Sequence, residues 1–322
     1  MKVYVSFWLP EVALERLRQK HTVVSYEGEG LPSREELVAR LKEADAFLCV
    51  GSRVDKEILD QVGPRLKIIA NWGVGYNNID ADYAAQKGIM VTNTPDVLTE
   101  TTADLSWAIL MAVARRVVEA DAYVRAGQFK GFKPFAMLGS DVWGKTIGIV
   151  GFGRIGQAVG RRALGFGMRV LYHNRNRLPP EREQELQATY SDLDTLLAES
   201  DFVSLYVPLT DETRHLIDAR RLSLMKPTAF LVNVSRGPVV DEQALVEALR
   251  AGTIAGAALD VFEKEPELTP GLTSLTNVVL TPHIGSGSWE TRTNMAHVAV
   301  RNIMAALEGK TPPNLVNQPV SR

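Results

Sequence analysis

The residues best placed to do chemistry begin with a glycine-rich run, Gly151-Phe152-Gly153-Arg154-Ile155-Gly156. A G-x-G-x-x-G pattern takes its meaning from its flanks. Here the apolar run Thr146 to Val150 reads as a strand entering it, and Gln157 to Ala163 reads as a helix leaving it. In that setting Gly151 permits the tight turn. Gly153 lets the backbone approach a pyrophosphate, and Gly156 lets helix and strand pack closely. The free N–H groups and positive dipole end of the helix then face the phosphates. Phe152, Arg154 and Ile155 complete the run as expected cofactor contacts.

The segment about 20 residues further on discriminates between nucleotides, because NAD sites usually carry an acid there for the ribose hydroxyls. Here it reads Tyr172-His173-Asn174-Arg175-Asn176-Arg177, with no carboxylate. An acid would repel a 2′-phosphate, whereas an arginine pairs with it through charge-assisted hydrogen bonds. Asn174, Arg175 and Asn176 are therefore expected to take NADP(H), with NAD(H) bound more weakly.

Other chemistries lose weight. Cys49 is the one cysteine, so neither an internal disulfide nor a cysteine-based metal centre can form within the chain. His21, His173, His215, His283 and His297 show no pair at the close helical spacing of a zinc site, and no metal is expected. With 36 Lys+Arg against 38 Asp+Glu, the formal net charge is -2, which argues against a nucleic-acid partner. The most apolar stretch, Leu105 to Ala114, falls far short of the ~20 residues that cross a bilayer, so no membrane partner is expected. Met1 to Pro10 lacks a small-residue cleavage site and runs straight into Glu11, Glu15 and Arg16. It reads as a strand followed by a helix, and a cytoplasmic location follows by default.

These residues need elements to position them. Short apolar runs alternate with longer amphipathic ones along all 322 residues, a length that suggests about two domains. Val3–Val5, Phe47–Val50, Leu66–Ala70 and Ile89–Val91 read as strands, with helices at Ser33–Ala44 and Asp80–Gln86 between them. A second set has strands at Thr146–Val150, Arg169–Tyr172, Phe202–Val207, Phe230–Val234, Ala257–Val261 and Val278–Leu280. Strands buried on both faces appear as apolar runs without strict alternation. The expectation is an α/β fold of two doubly wound parallel sheets. One long helical stretch, about Glu100 to Ala126, is expected between the sets, ending at Gly127. Its residues Leu105, Trp107, Ile109, Leu110, Val113 and Val117 suit packing between domains or a dimer interface. A last helix, about Glu290 to Leu307, should stop at Gly309.

Five further motifs accompany the glycine run: Asn71 to Asp80, Val91 to Pro95, Asn233 to Gly237, Leu259 to Pro266 and Thr281 to Ser286. With these, essentially the whole chain resembles the D-2-hydroxyacid dehydrogenase family, most closely its glyoxylate/hydroxypyruvate reductase branch. The resemblance implies a flavodoxin-like substrate domain, residues 1–98 and 288–322, around an NADP-binding Rossmann domain, residues 99–287. It implies reduction of small 2-keto acids to D-2-hydroxy acids by direct hydride transfer, and a homodimer.

The same resemblance implies a catalytic set of Arg236, Glu265 and His283, and the chemistry agrees. A 2-keto acid presents a carboxylate beside a carbonyl, and an arginine fork can bind the first while polarising the second. His283 can donate a proton to the carbonyl oxygen. Glu265 beside it favours the imidazolium and fixes its orientation. Val74 and Gly75 are expected to hold the substrate carboxylate through backbone N–H groups, with Val50 near the substrate. Further cofactor contacts are expected at Val234, Ser235, Asp260 and Gly285, with Asp260 accepting from the nicotinamide carboxamide. Residues near 94–99 and 284–288 are hinge candidates. Glu265 stands where formate-oxidising relatives carry glutamine. Phe132 and Phe135 stand in a segment where the reductase branch can carry tryptophan. The rival readings are an NAD-linked dehydrogenase for a larger D-2-hydroxy acid, and a nucleotide-sensing, corepressor-like interaction protein.

Overall fold

The computed structural model describes residues 1–319; the end of the expected substrate domain, residues 320–322, lies outside the described residues. The chain divides into two compact units. One joins Met1–Leu98 to the segment that begins at Gly287, and the other is Thr99–Ser286.

The first unit holds strands β1 (Lys2–Val5), β2 (Thr22–Ser25), β3 (Ala46–Cys49), β4 (Ile68–Asn71) and β5 (Met90–Thr92). They form one parallel sheet in the order β2-β1-β3-β4-β5, the flavodoxin-like doubly wound order. β3 and β4 are buried along their whole length, as two-faced burial requires. The connecting helices start where short polar side chains can cap them. Ser33, Asp55 and Asp80 each accept a hydrogen bond from the backbone N–H three residues on. The long closing helix, Trp289–Leu307, is capped in the same way by Ser288 and buries one face on the sheet beside Val3, Val5, Ile68 and Ala70.

The second unit continues with β6 (Thr146–Val150), β7 (Arg169–His173), β8 (Ala188–Tyr190), β9 (Phe202–Leu205), β10 (Phe230–Asn233), β11 (Gly256–Leu259) and β12 (Val278–Leu280). Its seven-stranded parallel sheet runs β12-β11-β10-β9-β6-β7-β8. Counted from β6, this is the dinucleotide-binding order 3-2-1-4-5-6 with one more parallel strand at the far edge. The expected pair of doubly wound parallel sheets is thus present. The edge strands β2 and β8 escaped the sequence reading. They are short, and β2 is at best half-buried, so neither shows the apolar run of a central strand.

The expected long helix is corrected. Thr99–Ala114 and Val117–Arg125 are two helices, separated by Arg116 in the left-handed region at φ 55°. The cause lies downstream in the chain. The Ser140 N–H donates to the Ala114 carbonyl at 2.8 Å. A Cβ on Gly139 would stand 2.4 Å from that same oxygen, so only glycine lets the returning chain come so close. Trp107, Ile109, Leu110 and Val113 join the core of this unit, whereas Val117 is exposed and the second helix buries no residue. Among the described residues, no helix is long and apolar enough to cross a membrane.

Candidate active site

β6 delivers the chain into the glycine run, and each glycine meets a different constraint. Gly151 has φ 93°, and a Cβ there would lie 2.7 Å from the backbone of Tyr206 and Val207. A Cβ on Gly156 would lie 2.4 Å from the Gly151 carbonyl oxygen, so helix Arg154–Gly165 could not seat against the turn. A Cβ on Gly153 would meet nothing within 4 Å. Two glycines thus serve the fold, and the third keeps open the face that a pyrophosphate would approach. The residues present fit a dinucleotide.

At the end of β7 the three expected nucleotide residues divide. Asn174 Oδ1 accepts from the Phe152 N–H at 2.6 Å, so this side chain braces the glycine loop. Arg177, beside them, is held by Glu183 through two bonds of 2.8 Å. Arg175 and Asn176 are exposed. The charge of Arg175 is felt at Glu212, whose carboxyl is lowered by bonds from Thr210 and its own backbone and, to a lesser degree, by Arg175.

Arg236, Glu265 and His283 come from three separate loops of the same sheet, after β10, β11 and β12. Asn233, at the end of β10, organises the first loop. Its Oδ1 accepts from the Ser235 N–H and hydroxyl, and its Nδ2 donates to the Arg236 carbonyl at 3.0 Å. Val234 and Ser235 are buried in this turn. Arg236 is largely buried, and burial presses its guanidinium down from its ordinary value, with Glu265 opposing. Its side chain donates to the neighbouring Ser235 carbonyl at 2.7 Å and has no carboxylate within ion-pair distance among the described residues. A guanidinium so placed is a costly arrangement unless an anion joins it.

His283 Nδ1 and Glu265 Oε2 are 2.8 Å apart. Glu265 Oε1 also accepts from the Phe262 N–H at 2.9 Å. Burial pushes the Glu265 carboxyl up, but the bond to His283, the Phe262 N–H and the nearby Arg236 outweigh it, and it sits below its ordinary value. With Nδ1 engaged, the histidine's Nε2 is the ring nitrogen left for a substrate. His283 itself has φ 53°, uncommon for a residue with a side chain. Its backbone N–H donates to the Asp260 carbonyl at 2.9 Å.

The Asp260 carboxylate fastens that loop. Oδ1 accepts from the Thr281 hydroxyl at 2.6 Å and the Ile284 N–H at 2.8 Å, and Oδ2 accepts from the Gly285 N–H at 2.8 Å. Burial raises its carboxyl, opposed by these bonds and by His283. In the first unit, Val50 follows β3 and is buried, while Val74 and Gly75 lie in the loop after β4. Arg53 points to solvent beside Asp55.

A family model described as "D-isomer specific 2-hydroxyacid dehydrogenase, NAD binding domain" matches residues 107–285. A glyoxylate reductase of Thermococcus onnurineus is 53% identical, over 99% of this chain and 96% of its own. The chain belongs to the D-isomer specific 2-hydroxyacid dehydrogenase family. A crystal structure of a Thermus thermophilus protein matches with a TM-score of 0.92 and 49% identity, covering 98% of this chain and 100% of that one. An NADPH-dependent glyoxylate/hydroxypyruvate reductase of Sinorhizobium meliloti, solved with NADP and malonate, matches with a TM-score of 0.88 and 36% identity. That match covers 100% of this chain and 98% of the other. The family resemblance read from the motifs therefore holds.

Within this dehydrogenase, two supports of the site had no sequence signal. His215 spans the loops of Arg236 and Glu265. Its N–H donates to the Pro238 carbonyl at 2.8 Å, and its Nε2 meets Glu263 Oε1 at 2.8 Å. Glu263 lies 48 residues away, beyond any local pattern. The other is Thr281, whose hydroxyl holds Asp260 but which reads in sequence as a loop residue before a proline.

Proposed function

We propose that this dehydrogenase reduces glyoxylate, hydroxypyruvate and similar small 2-keto acids, with NADPH as the preferred reductant. The observation that carries the reading is a largely buried guanidinium, Arg236, without a carboxylate partner, in the same sheet as a His283–Glu265 pair at 2.8 Å. An arginine fork of this kind binds a 2-keto acid's carboxylate and polarises the adjacent carbonyl. NADPH, when bound, supplies the hydride. Glu265 holds the imidazole by Nδ1, and Nε2 of His283 gives its proton to the carbonyl oxygen. In the oxidative direction the same atom accepts the proton. Val74 and Gly75 receive the carboxylate through backbone N–H groups, with Val50 beside the substrate.

Gly151, Phe152, Gly153, Arg154, Ile155 and Gly156 would hold the pyrophosphate. Val234, Ser235, Asp260 and Gly285 would line the nicotinamide end. Arg175, exposed where its neighbour Arg177 is tied to Glu183, is the residue left to pair with a 2′-phosphate. The glyoxylate reductases among the relatives and the NADP-bound Sinorhizobium meliloti enzyme support this reading. The segment around the second helix exposes Val118, Val124, Phe129, Leu138, Phe132 and Phe135, the last two by 87% each. An apolar surface of that kind suits a second copy of the chain, so a homodimer is proposed. A cytoplasmic site of action belongs to the same proposal.

One observation favours a second reading, turnover of a larger 2-hydroxy acid. The first unit contains an apolar cavity of about 450 Å³ lined by Phe7, Trp8, Val50, Trp72 and Trp289, more than glyoxylate needs. The deciding experiment follows cofactor oxidation with glyoxylate, hydroxypyruvate, pyruvate and a bulky 2-keto acid, each with NADPH and NADH. Fast turnover of the small substrates with NADPH supports the proposal. Turnover only with NADH refutes the role given to Arg175, and turnover only of the bulky acid supports the second reading. Cofactor binding with no turnover would move the nucleotide-sensing protein to the front.

A further inference from the structure

The loop after β4 is pinned from behind at three successive carbonyls. Asn71 Nδ2 donates to the Gly73 carbonyl at 3.3 Å and to the Gly75 carbonyl at 3.0 Å. Asn93 Nδ2, from just beyond β5, donates to the Val74 carbonyl between them at 2.9 Å. The Gly73 carbonyl also accepts from the Thr94 N–H at 2.9 Å. Asn71 is itself buried, and its Oδ1 is held by Asn78 Nδ2 at 3.3 Å, which in turn donates to the Ser52 carbonyl at 2.9 Å. In contrast, the N–H groups of Gly73, Val74 and Gly75 donate to no atom among the described residues.

Three fixed carbonyls and three free successive amides make a concavity ready for an anion. A second observation points the same way. The Arg292 guanidinium lies 5.8 Å from the ring of Trp72, the residue that precedes the loop, and its Nε is buried without a hydrogen-bond partner. A positive charge with an unpartnered donor thus packs on the side chain next in sequence to the free amides.

We propose that Asn71 and Asn93 are positioning residues that aim the Gly73–Gly75 amides at the substrate's carboxylate, which rests on the reading that this loop receives a 2-keto acid. Neither side chain touches the substrate. Each fixes the peptide planes whose N–H groups do, so the cost of ordering the loop is met before binding. The pins act on binding and leave the proton donor and the hydride path alone.

The test uses the full chain saturated with NADPH, the variants Asn71→Leu and Asn93→Ala, and two readouts. Calorimetry measures oxamate, an unreactive 2-keto acid analogue, and steady-state assays measure glyoxylate. Each variant is expected to weaken oxamate binding and raise the glyoxylate KM roughly tenfold, with kcat changed less than about threefold and the NADPH KM unchanged. Unchanged oxamate affinity in a folded variant, or a loss confined to kcat, overturns the proposal. So does a wild type that fails to bind oxamate. If oxamate binding depends on the two asparagines but no 2-keto acid is turned over, the pins stand and the reductase reading falls. Should Asn71→Leu fail to fold, Asn93→Ala decides, because its side chain lies at the surface of the loop.

Discussion

Replacing Gly237 by alanine should separate the two loops that carry Arg236 and Glu265. Gly237 follows Arg236 and opens the short turn Gly237–Val239. A Cβ there would lie 1.8 Å from the Phe262 carbonyl oxygen, 1.9 Å from its carbon and 2.4 Å from the Glu263 nitrogen. All three are backbone atoms, so no side-chain rotation relieves the overlap. Ordinary contact begins at 3.4 Å, and one loop must therefore retreat by roughly 1.5 Å from its close-packed position. A misplacement of about 1 Å can cost 10²-fold in rate, so kcat/KM for glyoxylate should fall at least about 100-fold. Overpacking should also cost about 1–3 kcal/mol, a fall in Tm of about 3–10 °C. Calorimetric melting and steady-state kinetics read the two effects separately. Because Val234, Ser235 and Asp260 adjoin the overlap in the chain, kcat and the glyoxylate KM are read at saturating NADPH. A variant that keeps kcat/KM within about tenfold of the wild type would refute the reasoning. So would a loss explained wholly by weaker NADPH binding.

Gly153→Ala should do the reverse. Its Cβ meets nothing within 4 Å, so Tm should stay within about 2 °C, while the methyl enters the pyrophosphate's space and raises the NADPH KM about tenfold or more. Arg236→Leu should abolish turnover yet leave thermal stability equal to or above the wild type, because it removes a buried charge that has no carboxylate partner; a strong drop in Tm would show a partner that the geometry lacks. Glu265→Gln probes pH linkage through melting. The folded carboxyl lies below its ordinary value, so its contribution is complete above the unfolded pKa of about 4.3 and fades as pH falls through the lower folded value. The melting difference between wild type and variant should therefore be larger near pH 6 than near pH 4, and a difference that grew in acid would reverse the assigned sign.

What the sequence made legible follows the range of the physics involved. The glycine run could be read because a positive-φ turn at Gly151 and the contact of Gly156 with the Gly151 carbonyl both fall within six residues, although Gly151 also packs on the distant Tyr206 and Val207 backbone. The central strands could be read because burial on both faces leaves an apolar run. The helix break at Arg116 could not, since its cause is a chain segment returning at Gly139 and Ser140. Asn174 reads in the sequence as part of a nucleotide site. The structure gives its side chain a different immediate task, holding the Phe152 N–H.

The proposed catalytic set shows the same limit more sharply. Arg236, Glu265 and His283 came from resemblance, because loops 29 and 18 residues apart announce no contact in one dimension. What places them is a second tier of groups: Asn233 behind Arg236, the Phe262 N–H behind Glu265, and Asp260 behind the His283 loop. Each of these bonds has a backbone group at one end, and a backbone partner leaves no residue-type signature. Candidate reacting side chains can therefore be named from a motif, whereas the groups that hold them emerge from the fold. Gly237→Ala is informative for that reason: it leaves every reacting side chain in the sequence and removes only their registration.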